Sequence, residues 1–417
     1  MNSAPPLSVL HLSTWDNAGG SGRAAYRLHT SLRDRGIRSR MLVGYKKTLD
    51  PDVRVIGGAF HRLDKLVGRL VDQTDRQYAF YPSSFLLPRT SWVREADLIQ
   101  VFNTHGGYLS HQAMVPLSRM KPVVWRLSDM WALTGHCSYS YECDRWKTGC
   151  GQCPHLSEFP ALHRDTTADL WRTKEKIYKK SSLTIVTPST WLGELARQSP
   201  LLNRFPIHCI PNGLNTDLFR PISKKEARQR LGIHSNGPVL LFSCASVQQE
   251  RKGAKLLQEA LRILAQQRKG ELTLLVAGEG AGRWQTDGPF RVHGIEQTAD
   301  DRMLAAIYSA ADLFVLPTLA DNLPNGILES MACGTPVVSF AVGGVPEAVR
   351  HLETGYAAQP NDPDDLAKGI RLFLENEPLR FKAGTRCREV VEQEYTLQLQ
   401  ADRFEKLYRD LLSRPHS

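Results

Sequence analysis

The stretch from Asp312 to Glu347, DLFVLPTLADNLPNGILESMACGTPVVSFAVGGVPE, decides how this chain is read. Its apolar run Leu313 to Pro317 predicts a buried strand, and the loop Thr318 to Asn325 delivers the chain to a short helix beginning near Gly326. Glu329 falls within the first turns of that helix, and Gly334 ends it. Pro336 to Phe340 predicts the next strand. The pair Gly343-Gly344 opens a second strand-to-helix crossing ahead of Pro346 and Glu347. Two helix N-termini then lie side by side at the carboxyl edge of a parallel sheet. Each presents unpaired N–H groups and about half a positive charge, a setting that takes a diphosphate without a metal ion. Asp321 on the loop and Glu329 on the helix, eight residues apart, bracket one of these N-termini and can reach different parts of one ligand.

The surrounding chain repeats the same alternation twice. In the first half, Leu7 to Ser13 predicts a strand, Asp16 to Gly22 a glycine turn, and Arg23 to Arg35 an amphipathic helix closed by Gly36. Further strands are expected at Met41 to Val43, Leu98 to Phe102, Val123 to Leu127 and Leu183 to Thr187. The second half restarts with a strand at Val239 to Ser243, a helix at Gly253 to Gln267 and a strand at Leu272 to Gly278. This is an α/β pattern of two Rossmann-like domains.

The Asp321-x7-Glu329 segment, with the Gly334-Thr-Pro-Val-Val338 turn behind it, resembles the E-x7-E segment of the retaining, GT-B-fold glycosyltransferases of glycosyltransferase family 4. Pro211-Asn212-Gly213 with Asp217 to Pro221 is similar to that family's linker. The resemblance covers nearly the whole chain, most closely residues 206–350. It implies a GT-B fold with two Rossmann-like domains facing a cleft: residues 1–205 binding the acceptor, residues 206–392 binding a nucleotide-sugar donor, and a helix in 393–417 returning to the first domain.

Residue by residue, the resemblance gives Glu329 the ribose hydroxyls and Asp321 the transferred sugar. Asn325, Gly326 and Ile327 stand at the donor-side helix start, and the loop holding Gly19 and Gly20 approaches the donor's phosphates. Lys252, in Glu250-Arg-Lys-Gly253, has the place of a lysine that neutralises the donor diphosphate, and Arg251 stands in for an arginine the family carries where this chain has Val247. The run Val124 to Trp131 resembles a segment in which the position of Ser128 is normally histidine. His105, at the end of the strand Leu98 to Phe102, is either a cleft residue or a structural histidine. Pro324 has no N–H for a phosphate or sugar. The implied reaction is sugar transfer, with retention, from a nucleoside-diphosphate sugar of UDP or GDP type to a polysaccharide or lipid-linked oligosaccharide, as in bacterial exopolysaccharide clusters, with no metal needed for the chemistry. A sugar-nucleotide 2-epimerase of the same fold and an inert nucleotide-sugar-binding protein are the rivals.

Composition sets outer bounds. The 417 residues, 41% of them hydrophobic, suffice for two cores. No apolar run approaches the ~20 residues of a membrane span, and Met1 to Pro6 lacks a signal layout, so a cytoplasmic protein is expected. Residues 1–200 hold 27 Lys and Arg against 17 Asp and Glu, whereas residues 201–417 hold 26 of each. That basic first half suits an anionic membrane surface or a lipid diphosphate at the inner face of the plasma membrane; no nucleic-acid-binding motif accompanies it. The segment Phe60 to Asp72 sets Leu63, Leu66, Val67, Leu70 and Val71 on one helix face, flanked by Arg62, Lys65 and Arg69, to pack in a core or to lie on a bilayer. Cys137, Cys143, Cys150 and Cys153 crowd into one insert, 136–155, where structural zinc, buried thiols and a disulfide are the readings open to them.

Overall fold

The computed structural model describes residues 6–235, 237–267, 270–286 and 288–414, so residues 1–5, read above as lacking a signal layout, lie outside the described residues. The chain forms two compact units, one of residues 1–213 with 398–417 and one of residues 214–397.

In the first unit seven parallel strands, β1 (Ser8–Trp15), β2 (Arg38–Tyr45), β3 (Val53–Val55), β4 (Leu98–Val101), β5 (Val123–Arg126), β6 (Leu183–Thr187) and β7 (Ile207–Cys209), stand in the order β3-β2-β1-β4-β5-β6-β7. The central strands read as apolar runs because helices cover both faces of a parallel sheet; all four residues of β4 and of β5 are buried. The helix Leu397–Leu412 supplies part of one of these covers. Phe404, Leu407 and Tyr408 pack with Val9, Leu28, Leu32 and Met41, and the Tyr408 hydroxyl donates to Gln100 Oε1 at 2.9 Å.

The division of the chain falls later than the expected boundaries at 205 and 392. Ile207–Cys209 pairs with β6, which keeps the following residues in the first unit. The second unit is closed where Leu214 bridges Thr396, with the Leu214 N–H donating to Tyr395 O (2.8 Å) and the Leu397 N–H to Leu214 O (3.0 Å).

The second unit has six parallel strands: β8 (Val239–Ser246), β9 (Thr273–Glu279), β10 (Arg291–Ile295), β11 (Leu313–Leu316), β12 (Val337–Phe340) and β13 (Gly355–Ala358), in the order β10-β9-β8-β11-β12-β13. Each sheet therefore grows outward in one direction, returns to its middle, and grows in the other. That doubly wound order opens a crevice at the carboxyl ends of the two central strands, β1 with β4 and β8 with β11. Leu313 pairs with Leu240 and Phe314 with Leu241, which fixes which loops meet there.

The helix His61–Asp72 departs from the core alternative. Its buried residues are Asp64 and Gly68, while Leu63, Leu66 and Leu70 are 49%, 58% and 57% exposed.

Candidate active site

The segments leaving β8 and β11 carry the residues singled out from the sequence. After β8, a tight turn, Glu250–Lys252, leads through Gly253 into the helix Ala254–Gln267. After β11, the chain from Pro317 crosses that turn: the Leu319 N–H donates to Arg251 O (2.8 Å), and the Thr318 hydroxyl donates to the same carbonyl (3.1 Å). Gly253 permits the crossing, since it takes φ +74° and any Cβ would collide with the Pro317 carbonyl. Lys252 and Asp321, 69 residues apart, are thereby joined: Lys252 Nζ donates to Asp321 Oδ2. Arg251 Nη1 lies 3.0 Å from the same oxygen and donates to Ala320 O at 2.6 Å.

Asp321 is buried, which by itself would raise its carboxyl pKa. Lys252 and then Arg251 outweigh that and hold it well below the usual carboxylate range. Burial draws the Lys252 ammonium below its ordinary value, and Asp321 pulls it back up. On the far side, Gly343 after β12 takes φ +57°, and a Cβ there would strike the Asp321 carbonyl. Asp321 is thus held by the ends of three strands and faces two cations at once.

The helix Asn325–Ala332 begins beside this cluster. Pro324 is its N-cap residue, no side chain caps it, and its first turn holds no acid, so its positive end has no carboxylate of its own. The Ile327 N–H already donates to Pro324 O (3.1 Å) and its side chain is buried, so Ile327 contributes packing; Asn325 and Gly326 occupy the first two positions. Glu329, buried on the same helix, accepts from the Tyr308 hydroxyl at 3.3 Å. Burial first, and the Glu329 carboxylate second, raise that tyrosine well above its ordinary value. Val247 is a core residue packed under Gly280, so no cation stands there, and Arg251 is the guanidinium that reaches the cluster.

The remaining residues lie in the first unit. Gly19 and Gly20 start the helix Gly19–Asp34, which has neither a side-chain cap nor an acid in its first turn. Ser128 sits beside that start: its hydroxyl donates to Ser21 Oγ (3.0 Å) and accepts from Arg126 Nη1 (2.9 Å). Arg126 is buried, binds Asn212 Oδ1 through Nη2, and has no partner for Nε. Burial lowers its pKa to about 10, with Asp129 pulling the other way. His105 is also buried, and its Nε2 lies 3.0 Å from Asp129 Oδ2. Burial lowers the imidazole's pKa while Asp129 opposes that. The sequence reading passed over Arg126 and Asp129 as working residues, although both flank Ser128 within one run.

The four cysteines are free thiols and line one pocket together with His136 and His155. The Gly135 N–H donates to Cys150 Sγ (3.1 Å), the His155 N–H to Cys153 Sγ (3.4 Å), and His136 Nε2 also lies 3.4 Å from Cys153 Sγ. Burial pushes the Cys137 thiol up to about 12 and the Cys150 thiol up to about 11. As placed, no three His, Cys, Asp or Glu side chains among the described residues group closely enough to hold an ion. The ligand types suit zinc; the arrangement does not close around one.

Comparisons with known proteins bear on both units. Residues 223–390 match the family described as glycosyl transferases group 1. The D-inositol 3-phosphate glycosyltransferase of Thermobispora bispora is 32% identical over 217 residues, 49% of this chain and 50% of that protein, and that of Geodermatophilus obscurus is 34% identical over 194 residues, 42% of each. The chain thus spans about half the length of the curated relatives it matches. Among solved structures, the sucrose-phosphate synthase of Thermosynechococcus elongatus superposes with a TM-score of 0.67 at 20% identity, covering 98% of this chain and 99% of that one. Anabaena Alr3699/HepE, solved with UDP-glucose, does so with a TM-score of 0.68 at 17% identity over 97% and 100%. The chain therefore has the GT-B fold, and its residues 223–390 are similar to the glycosyl transferases group 1 family.

Proposed function

We propose that this protein transfers a sugar, with retention, from a nucleoside-diphosphate sugar of UDP or GDP type to a glycan or lipid-linked acceptor. The observation that carries the reading is the meeting of Lys252 and Arg251 with Asp321 at the switch point of the second sheet, beside the uncapped start of the Asn325–Ala332 helix. In the transfer the bond from the sugar's anomeric carbon to the diphosphate oxygen breaks and the bond to the acceptor oxygen forms. The acceptor's proton passes to the departing phosphate oxygen. Charge accumulates on the diphosphate, and preorganised cations with a helix N-terminus are the groups that stabilise it, each cation contributing several kcal/mol. Glu329 holds the ribose hydroxyls and Asp321 the transferred sugar, releasing its cations to the diphosphate. HepE, solved with UDP-glucose, supports a nucleotide-sugar donor, and the relatives named D-inositol 3-phosphate glycosyltransferases support glycosyl transfer.

Turnover of a panel of nucleotide sugars, with and without a membrane extract as acceptor source, tests this reading. Transfer that survives a chelator is expected. Release of an epimerised sugar would move the protein to the epimerases, and tight nucleotide binding without turnover would make it a binding protein. We also propose that the cysteine loop holds one structural zinc, which requires the thiols to turn inward around their pocket; metal-free protein purified without chelators would retire that proposal.

A further inference from the structure

We propose that the helix His61–Asp72 is a docking surface for an anionic lipid bilayer. This inference stands apart from sugar transfer, since it rests on the outer face of the first unit. The helix is mounted with its polar and small residues inward. Asp64 is buried and its Oδ1 accepts from the Ser83 N–H at 2.9 Å, while Gly68 lies so close to the Tyr81 ring that any Cβ would overlap it. Both contacts hold the helix by the side that a core-packed amphipathic helix would expose. Phe60, Leu63, Leu66 and Leu70 consequently face outward, and the segment beneath adds exposed Phe80 and Leu86. An apolar face held out in this way suits a partner whose apolar layer lies just beneath a polar surface, as the acyl chains of a bilayer do.

The charges identify that partner as anionic. Between residues 54 and 94 the three acids are all turned to internal bonds. Asp64 holds Ser83; Asp72 accepts from the Tyr78 N–H (3.0 Å) and the Tyr81 hydroxyl (3.2 Å); Asp75 is buried and accepts from the His163 N–H (2.9 Å). Arg54, Arg62, Arg69, Arg76 and Arg89 remain exposed. Leucines with arginines beside them, and carboxylates withdrawn, are what an interfacial helix presents to acidic headgroups. No helix among the described residues is long and apolar enough to cross a membrane.

The full chain should float with vesicles of phosphatidylcholine containing about 30 mol % phosphatidylglycerol, and release as salt rises to about 0.5 M. Leu66→Glu with Leu70→Glu should weaken that binding at least about tenfold, and Arg62→Glu with Arg69→Glu should do the same while abolishing the salt dependence. UDP binding, read in parallel, should be unchanged in both variants, which separates this proposal from the catalytic one. These side chains are exposed, so the wild-type melting temperature is expected; if the leucine pair fails to fold, Leu66→Ser alone carries the test. Wild-type protein that ignores the vesicles at low salt overturns the proposal. So does a leucine variant that binds like wild type, or a wild-type dimer in solution that the leucine variant dissolves, which would make the face a contact between copies.

Discussion

Asp321→Asn separates the two tasks of the cation cluster. The asparagine keeps an oxygen for Lys252 but removes the charge that balances Lys252 and Arg251. Removing one partner of a buried ion pair costs about 3–5 kcal/mol. Lys252 and Arg251 retain 13% and 19% exposure, and the amide still accepts a hydrogen bond, so about 2–3 kcal/mol is the expected loss. For a unit of this size that lowers the melting temperature by about 4–10 °C, read by scanning fluorimetry. The loss should shrink with UDP present, because the diphosphate supplies the missing anion and no longer competes with a carboxylate; UDP at about 100 times its dissociation constant adds about 2.7 kcal/mol. Turnover should nevertheless fall at least about tenfold, since Asp321 is assigned to the sugar. The folded carboxyl lies below its unfolded value, so its contribution is complete above a pH of about 4 and is lost as pH falls further, a limb the variant should lack. A variant that melts with the wild type and turns over normally refutes the reasoning. One that folds but no longer binds UDP shows that Asp321 and Glu329 have exchanged roles.

Glu329→Ala should weaken UDP binding by about 1.5–3 kcal/mol in a calorimetric titration, the scale of a charge-assisted hydrogen bond to the ribose; unchanged affinity removes Glu329 from the donor site. Lys252→Ala should cost at least about tenfold in turnover, and Arg251→Ala a comparable amount, since both cations reach the same carboxylate. An Arg251→Ala variant with wild-type kinetics would leave Lys252 as the sole cation of the mechanism. In the first unit, His11 and His29 are buried and share Ser39 Oγ at 2.9 and 2.8 Å, and burial lowers both imidazole pKa values, that of His29 to about 4. Because the unfolded chain takes up these protons first, stability is complete above a pH of about 6.5 and declines as pH falls toward 4. His29→Asn should flatten that decline in melting temperature; an unaltered slope would place the acid sensitivity elsewhere.

The sequence by itself determined the doubly wound pattern, because strands buried on both faces must be apolar runs. Leu98 to Phe102, Leu183 to Thr187 and Leu313 to Pro317 read as such strands. It also placed Asp321 and Glu329 around a helix start, and the resemblance of Glu250-Arg-Lys-Gly253 to a family segment singled out Lys252. Strands such as Ile207–Cys209 and Arg291–Ile295 escaped, since they lie at sheet edges, are partly exposed, and carry polar residues. Periodicity showed that the helix His61–Asp72 has an apolar stripe, but a stripe does not say which side meets the protein. That was decided by Gly68 against Tyr81 and Asp64 under Ser83, contacts with a segment that has no period of its own. Likewise, no spacing rule joins Lys252 to Asp321 or His105 to Asp129. Each pair is made where parallel strands distant in sequence become neighbours and their loops meet at one edge, a consequence of sheet order that only the tertiary structure fixes.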